Sequence, residues 1–272
     1  MTSASATTLE RDLLETPLVG ALLRRRGWQL AARGALLALA IVMVLQGLYG
    51  SQLAPKNLST LLTWVHYRGF LVLALLLVGN VFCTACPIVL VRDLGRKIVR
   101  PFLSWPRALR NKWIAIGLFV GVLYAYELLD LWGDPWATAW LVLGYFGAAL
   151  LVDVLFRGAS FCKFLCPVGQ FNFVSSTVSP VEVAVKDRTV CDTCSGNECL
   201  RGAPATPSTP ARRGCELGIF LPKKVGNLDC TLCLDCVHAC PEENVTLTTR
   251  TPGLELADPT SRSGVGPLQS RT

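Results

Sequence analysis

The sequence predicts an α-helical membrane anchor of four transmembrane helices joined to a small α+β domain organised by cysteines. Three observations predict it. Apolar residues are bunched into four long runs, basic residues are confined to alternate connections between those runs, and eight of the twelve cysteines fall in two quartets after residue 190. With 51% hydrophobic residues and a mean hydropathy of +0.44 over 272 residues, the chain is too apolar for a soluble domain of its size.

The runs cover residues 34–54, 64–85, 113–131 and 136–156. Each has close to the ~20 residues needed to cross a hydrocarbon layer of ~30 Å. Trp28, Trp64, Trp113, Trp132 and Trp136 fall at or near the ends, as the aromatic belt of spanning helices requires. Arg11, Arg24, Arg25, Arg26 and Arg33 precede the first run, and Arg92, Arg96, Lys97, Arg100, Arg107, Arg110 and Lys112 follow the second. The other two connections carry only Lys56 and Asp134, so the basic segments are expected on the cytoplasmic side of the cell inner membrane. An even number of spans returns the chain to the cytoplasm after Phe156. Arg24-Arg25-Arg26-Gly27-Trp28 faintly resembles an export signal, but the first run is long for a signal core and three more follow, which favours an uncleaved helix.

This divides the chain into a cytoplasmic segment 1–33, a transmembrane domain 34–157 with a basic cytoplasmic loop 87–112, a cytoplasmic cysteine-rich domain 158–250 and a disordered tail 251–272. The net charge of +7 belongs to the membrane-flanking segments, since residues 186–250 hold eight basic and eight acidic side chains. Nucleic-acid binding has no footprint here.

The run Cys230-Thr-Leu-Cys233-Leu-Asp-Cys236-Val-His-Ala-Cys240-Pro241 has the spacing with which bacterial-type ferredoxins wrap a [4Fe-4S] cluster. Three closely spaced thiolates reach three irons of one cubane, and the cysteine before the proline turns to a neighbouring one. A second set is therefore expected, and Cys191, Cys194, Cys199 and Cys215 supply it at irregular spacing. In the crossed pattern Cys191, Cys194 and Cys199 share one cluster with Cys240, and Cys230, Cys233 and Cys236 share the other with Cys215. The weakest assignment is Cys215, which is followed by Glu216 instead of proline. A paired C-x-x-C zinc ribbon would use Cys191, Cys194, Cys230 and Cys233 and leave the other four idle. A disulfide framework would need an oxidising compartment, against the topology.

A weak repeat links the two halves of the anchor. One pair of runs ends in Phe82-Cys83-Thr-Ala-Cys86-Pro87 and the next is followed by Phe161-Cys162-Lys-Phe-Leu-Cys166-Pro167-Val-Gly169. Cys83, Cys86, Cys162 and Cys166 are thus expected together at one membrane surface, as a third metal centre or a dithiol relay. The plainer reading is that cysteine packs as a small apolar residue where proline stops the helix.

Together the stretches 82–87, 161–169 and 226–241 resemble the membrane-bound polyferredoxin family. That family includes the integral ferredoxin subunit of periplasmic nitrate reductase systems, the carboxy-terminal part of the nitrous-oxide-reductase regulator, and iron-sulfur proteins of oxidase assembly. The resemblance covers about two thirds of the chain and implies electron transfer between a quinone or protein donor and a redox partner. A copper reductase or oxidase-assembly factor, or a redox sensor, are the rival readings. No C-x-x-C-H haem signature, G-x-G-x-x-G or P-loop is present, and His66 and His238 are too few for a bis-histidine haem within the spans. Membrane lipid, a quinone and an unidentified redox protein are the partners expected. His66, Tyr67, Arg68, Glu127 and Asp130 are candidates for an outer ion pair or a quinone or proton site, and Asp153 is the inner alternative. Residues 203–211, with three prolines, read as a flexible insertion.

Overall fold

A computed structural model describes residues 11–25, 27–207 and 210–256. Two compact units emerge. Among the described residues one comprises 29–74 and 85–172, and the other 11–28, 75–84 and 173–256.

The first unit holds the long apolar helices. Gly27–Tyr49 and Pro135–Leu155, at 23 and 21 residues, are each long and apolar enough to cross a membrane. The latter starts where Asp134 accepts the Ala137 amide at 3.0 Å and Pro135 occupies the first helical position, which lacks an amide partner in any helix. Gly47 lets the two approach closely, because a Cβ there would stand 2.7 Å from both Ala139 Cβ and the Pro135 carbonyl. Asn57 closes the connection after the first helix: its side-chain amide donates to the Gln46 and Ser51 carbonyls at 2.8 Å, and its oxygen caps Ser59.

The other two expected spans take a different form. Leu58–His66 and Gly69–Leu77 are bent by 44°, with a π-helical turn over Leu61–His66, and count as one span only if the broken pair is taken together. The helix does not continue to Ala85. Gly79 sits at φ +91°, where a Cβ would stand 2.3 Å from Ser179 Oγ, and breaks the run. Trp113–Leu128 has 16 residues, or ~24 Å at 1.5 Å per residue, and Asp130 in the left-handed region at φ 49° ends any continuation. Trp64 ties these helices together, its indole donating to Thr138 Oγ1 at 3.0 Å while its ring meets Tyr126 at 4.8 Å.

Within the basic loop, Pro87–Ile98 is a helix packed on Pro135–Leu155. Arg96 donates to the carbonyls of Asp153 at 2.8 Å and Phe156 at 3.3 Å and also to that of Gly158, so a cation satisfies the open end of the long helix.

The second unit is built on an antiparallel pair, β1 (Val181–Val185) and β2 (Val245–Thr249), with Val183 opposite Leu247. The N-terminal segment joins the sheet edge: Leu13 donates to the Leu247 carbonyl and Thr249 donates to that of Arg11. Leu14, Val181, Val183, Leu221, Leu232, Leu234, Val245 and Leu247 form its core. Residues 251–256, the first part of the expected tail, pack on the sheet unit. Glu255 is buried, pairs with Arg250 at 3.0 Å and accepts the Asn227 amide at 2.8 Å. The remainder of the expected tail, 257–272, and Arg26 lie outside the described residues, as does the Arg68 side chain.

Candidate iron-sulfur sites

The cysteine run is laid out by alternating backbone handedness. Asp229 (φ 65°), Leu232 (φ 50°) and Leu234 (φ 58°) are all left-handed, and they turn the chain so that Cys230, Cys233 and Cys236 face one pocket. Cys215 lines the same pocket. Val183, Leu217, Ile219, Leu221, Leu232 and Leu234 make its walls, around about 340 Å³ of space not filled by atoms, open solvent included. Four sulfurs with an apolar surround are the donor set a cubane takes.

Cys191, Cys194, Cys199 and Cys240 form the other group. Asp187 caps the short helix Arg188–Thr193 that carries Cys191, accepting the Thr189 amide at 2.8 Å. The Asn244 side chain then donates to Cys191 Sγ at 3.3 Å. Burial pushes the Cys199 thiol up to about 11, and its sulfur neighbours, Cys240 first and then Cys191, Cys194 and Cys215, push the same way. Burial also raises Cys215, Cys233 and Cys236, each with sulfurs of its own quartet adding to the rise. Such thiols hold their protons until a positive centre compensates the thiolates. The four in each group fit that role by chemistry. Among the described residues no three His, Cys, Asp or Glu side chains converge tightly enough for a single metal ion.

The irregular gap between Cys199 and Cys215 is absorbed by a closed loop. Ala203 and Arg212 exchange two backbone hydrogen bonds of 2.9 Å, so the proline-rich insertion leaves and returns at one point. Gly202 and Gly214 pass so closely that a Cβ on Gly214 would stand 2.4 Å from the Gly202 nitrogen. Just beyond, the Cys215 amide donates to the Cys199 carbonyl at 2.9 Å. Ser208 and Thr209 lie outside the described residues.

The anchor thiols do not all fall in one unit. Cys86, Cys162 and Cys166 belong to the helical unit, where burial pushes each thiol up, and Cys86 and Cys166 pack with Ile88, Tyr145, Ala149 and Phe161. Cys83 belongs to the sheet unit, in the turn Val81–Thr84. Tyr145, which sequence reasoning missed, places its hydroxyl 2.6 Å from Cys166 Sγ. Each proline starts a helix and does not stop one, at Pro87–Ile98 and Pro167–Ser175. Cys166 Sγ accepts the Gly169 amide at 2.9 Å and so caps the second of these. Asp153 is fully buried and accepts the Phe161 amide at 2.8 Å, a structural bond at the start of the turn that carries Cys162.

Three known proteins resemble part of this cysteine-rich chain. Ferredoxin-type protein NapH of Escherichia coli (strain K12) is 29% identical over 185 residues, 63% of this chain and 62% of NapH. The chain is similar to ferredoxin-type proteins. Its likeness to ferredoxin-type NapH extends to Haemophilus influenzae, at 28% identity over 73% of this chain and 72% of that protein. YccM of Escherichia coli, whose name gives it an inferred role in electron transport, is 26% identical over 63% of this chain and 51% of its own length. The match thus spans less than two thirds of two of these three relatives. The resemblance to membrane-bound polyferredoxins read from the motifs is borne out by these relatives. No protein-family model and no solved structure matches the chain.

Proposed function

We propose that this chain is a membrane-bound iron-sulfur protein that relays electrons between a membrane quinone or protein donor and a redox protein partner. One [4Fe-4S] cluster would be held by Cys191, Cys194, Cys199 and Cys240, the other by Cys215, Cys230, Cys233 and Cys236. When bound, such clusters supply one-electron chemistry. The observation that carries the reading is the apolar pocket lined by Cys215, Cys230, Cys233 and Cys236, and the neighbourhood of Cys199 to Cys240, Cys191 and Cys194 supports a second cluster. The names of the relatives support electron transport as the class of activity.

The chain's own residues then have separate tasks. Apolar walls from Val183, Leu217 and Ile219 keep water from one quartet, and Asn244 orients Cys191 in the other. Cys215 and Cys199 are linked through one backbone hydrogen bond, which gives the two groups a short covalent and hydrogen-bonded connection. For the anchor, four crossings with both ends and the 87–112 loop in the cytoplasm remain our reading. Two helices, or three with the bent pair, are long and apolar enough to cross, the shorter Trp113–Leu128 would supply the fourth crossing, and the orientation rests on the basic residues alone.

Anaerobic purification with iron, sulfide and EPR measurement tests the proposal. About eight irons and eight sulfides per chain are expected, with two reducible signals. About twelve of each would add a third centre at the anchor thiols. Stoichiometric zinc without a reducible signal would overturn it.

A second reading draws on the Cys86, Cys162 and Cys166 group. Two thiols oxidised to one disulfide would release two protons and two electrons, enough to reduce two copper(II) ions. Copper reduction that disappears when these three thiols are replaced, with both clusters intact, would favour it.

A further inference from the structure

Asn80 and Thr84 lie about 150 residues before the cysteine run and outside its two quartets, Asn80 before the anchor cysteine pair and Thr84 between Cys83 and Cys86. They are 0% and 2% exposed, so neither side chain can exchange its hydrogen bonds with bulk water. Asn80 Nδ2 donates to the Cys230 carbonyl at 3.1 Å. Thr84 Oγ1 stands 3.0 Å from the Thr231 carbonyl, 2.9 Å from that of Leu232 and 3.5 Å from that of Asn80, and its single hydrogen is shared among them, with the two cluster-loop carbonyls the nearer. Three successive carbonyls are thereby drawn to one short turn. Gly79, at φ +91°, is the hinge that brings the turn in against Ser179, Val181 and Leu232.

The consequence follows from peptide geometry. In a planar trans peptide the carbonyl and the next amide point in opposite directions. Carbonyls 230, 231 and 232 held by Asn80 and Thr84 therefore aim the amides of Thr231, Leu232 and Cys233 the other way. Thr231, Leu232 and Cys233 all line the pocket that also holds Cys215, Cys230 and Cys236. Successive amides on a chain with alternating handedness make a concavity that favours an anion. Left-handed leucine is strained and persists only where its surroundings hold it. Here the holding bond is on the Leu232 carbonyl.

We infer that Asn80 and Thr84 are positioning residues for the cluster of Cys215, Cys230, Cys233 and Cys236, holding three backbone amides toward its sulfurs and so raising its reduction potential relative to the unclamped loop. The inference rests on the proposed cluster assignment. Amides directed at sulfur stabilise the more negative, reduced state, which is why such donors set the potential. It also gives the turn after the Leu58–Leu77 helical segment a task that the ligand motif does not contain.

The test is an EPR-monitored redox titration of the purified full chain as wild type, Thr84→Val and Thr84→Ser. Valine keeps the volume and removes the donor, whereas serine keeps the donor. The expected result is two couples in the wild type, with one moved to more negative potential in T84V, the other unmoved, and T84S close to wild type. Unchanged potentials in a T84V protein with full iron would overturn the inference, as would an equal shift of both couples. If T84V loses about half its iron, T84S decides: retention at the wild-type potential supports the hydroxyl bond, and equal loss reduces Thr84 to packing. A wild type with no reducible signal is a failure of the cluster proposal and is seen before any variant is made.

Discussion

Arg250 shows how much one side chain can organise. It pairs with Glu182 at 3.2 Å and with buried Glu255 at 3.0 Å, and also donates to the carbonyls of Ser176, Thr177 and Ser179. Replacing it with methionine would leave two carboxylates and three carbonyls facing a neutral side chain, a loss of about 3–5 kcal/mol for a buried pair broken from one side. Arg250→Met is expected to lower the thermal midpoint and release iron earlier in the melt than wild type, measured by scattering and cluster absorbance. A melt within error of wild type would mean that the pair contributes nothing. None of this was legible in the sequence, where Arg250 marked only the end of a domain. Its partners lie 68 to 74 residues before it or beyond that end, and burial of Glu255 depends on the whole fold. The cysteine run, by contrast, was legible because ligand spacing is a local property of the chain.

The elements follow the same division. Gly27–Tyr49 and Pro135–Leu155 were readable because apolar length decides them, although each starts before the expected position. The two intermediate runs were equally apolar, yet one bends and the other stops early. The bend follows the π-helical turn Leu61–His66, and Gly79 and Asp130 end the two runs through unusual backbone states, none of which hydropathy registers. The cysteine-proline pairs were noticed, but their helical sense was reversed, since Pro87 and Pro167 open the next helix. Because Cys166 Sγ caps Gly169, Cys166→Ala should destabilise the Pro167–Ser175 helix by about 1 kcal/mol, whereas Cys166→Ser should retain most of the cap. Thermal scans of the two variants in detergent check this. Equal midpoints for alanine and serine would leave the sulfur without a capping role.

For the whole molecule, the basic residues of the 87–112 loop carry a double load. Arg96 is spent on the end of the long helix, and Arg92 is only 3% exposed, so both act within the fold as well as in the charge asymmetry. The remaining Lys97, Arg100, Arg107, Arg110 and Lys112 still favour a cytoplasmic loop. A reporter fused after Thr272 is therefore expected to be active only in its cytoplasmic form. Activity confined to a periplasmic form would reverse the topology. The sheet unit has a further consequence, for biosynthesis. Its sheet edge is completed by residues 11–13, its cluster loop is gripped by residues 80–84, and both wait for strands and cysteines made more than 140 residues later. At about 5–20 residues per second a ribosome would take about seven seconds or more to supply the missing partners. Until then the early segments have nothing to close upon. On the cluster proposal, the last ligand, Cys240, is made only after every apolar helix of the chain, so a complete ligand set is never present before those helices.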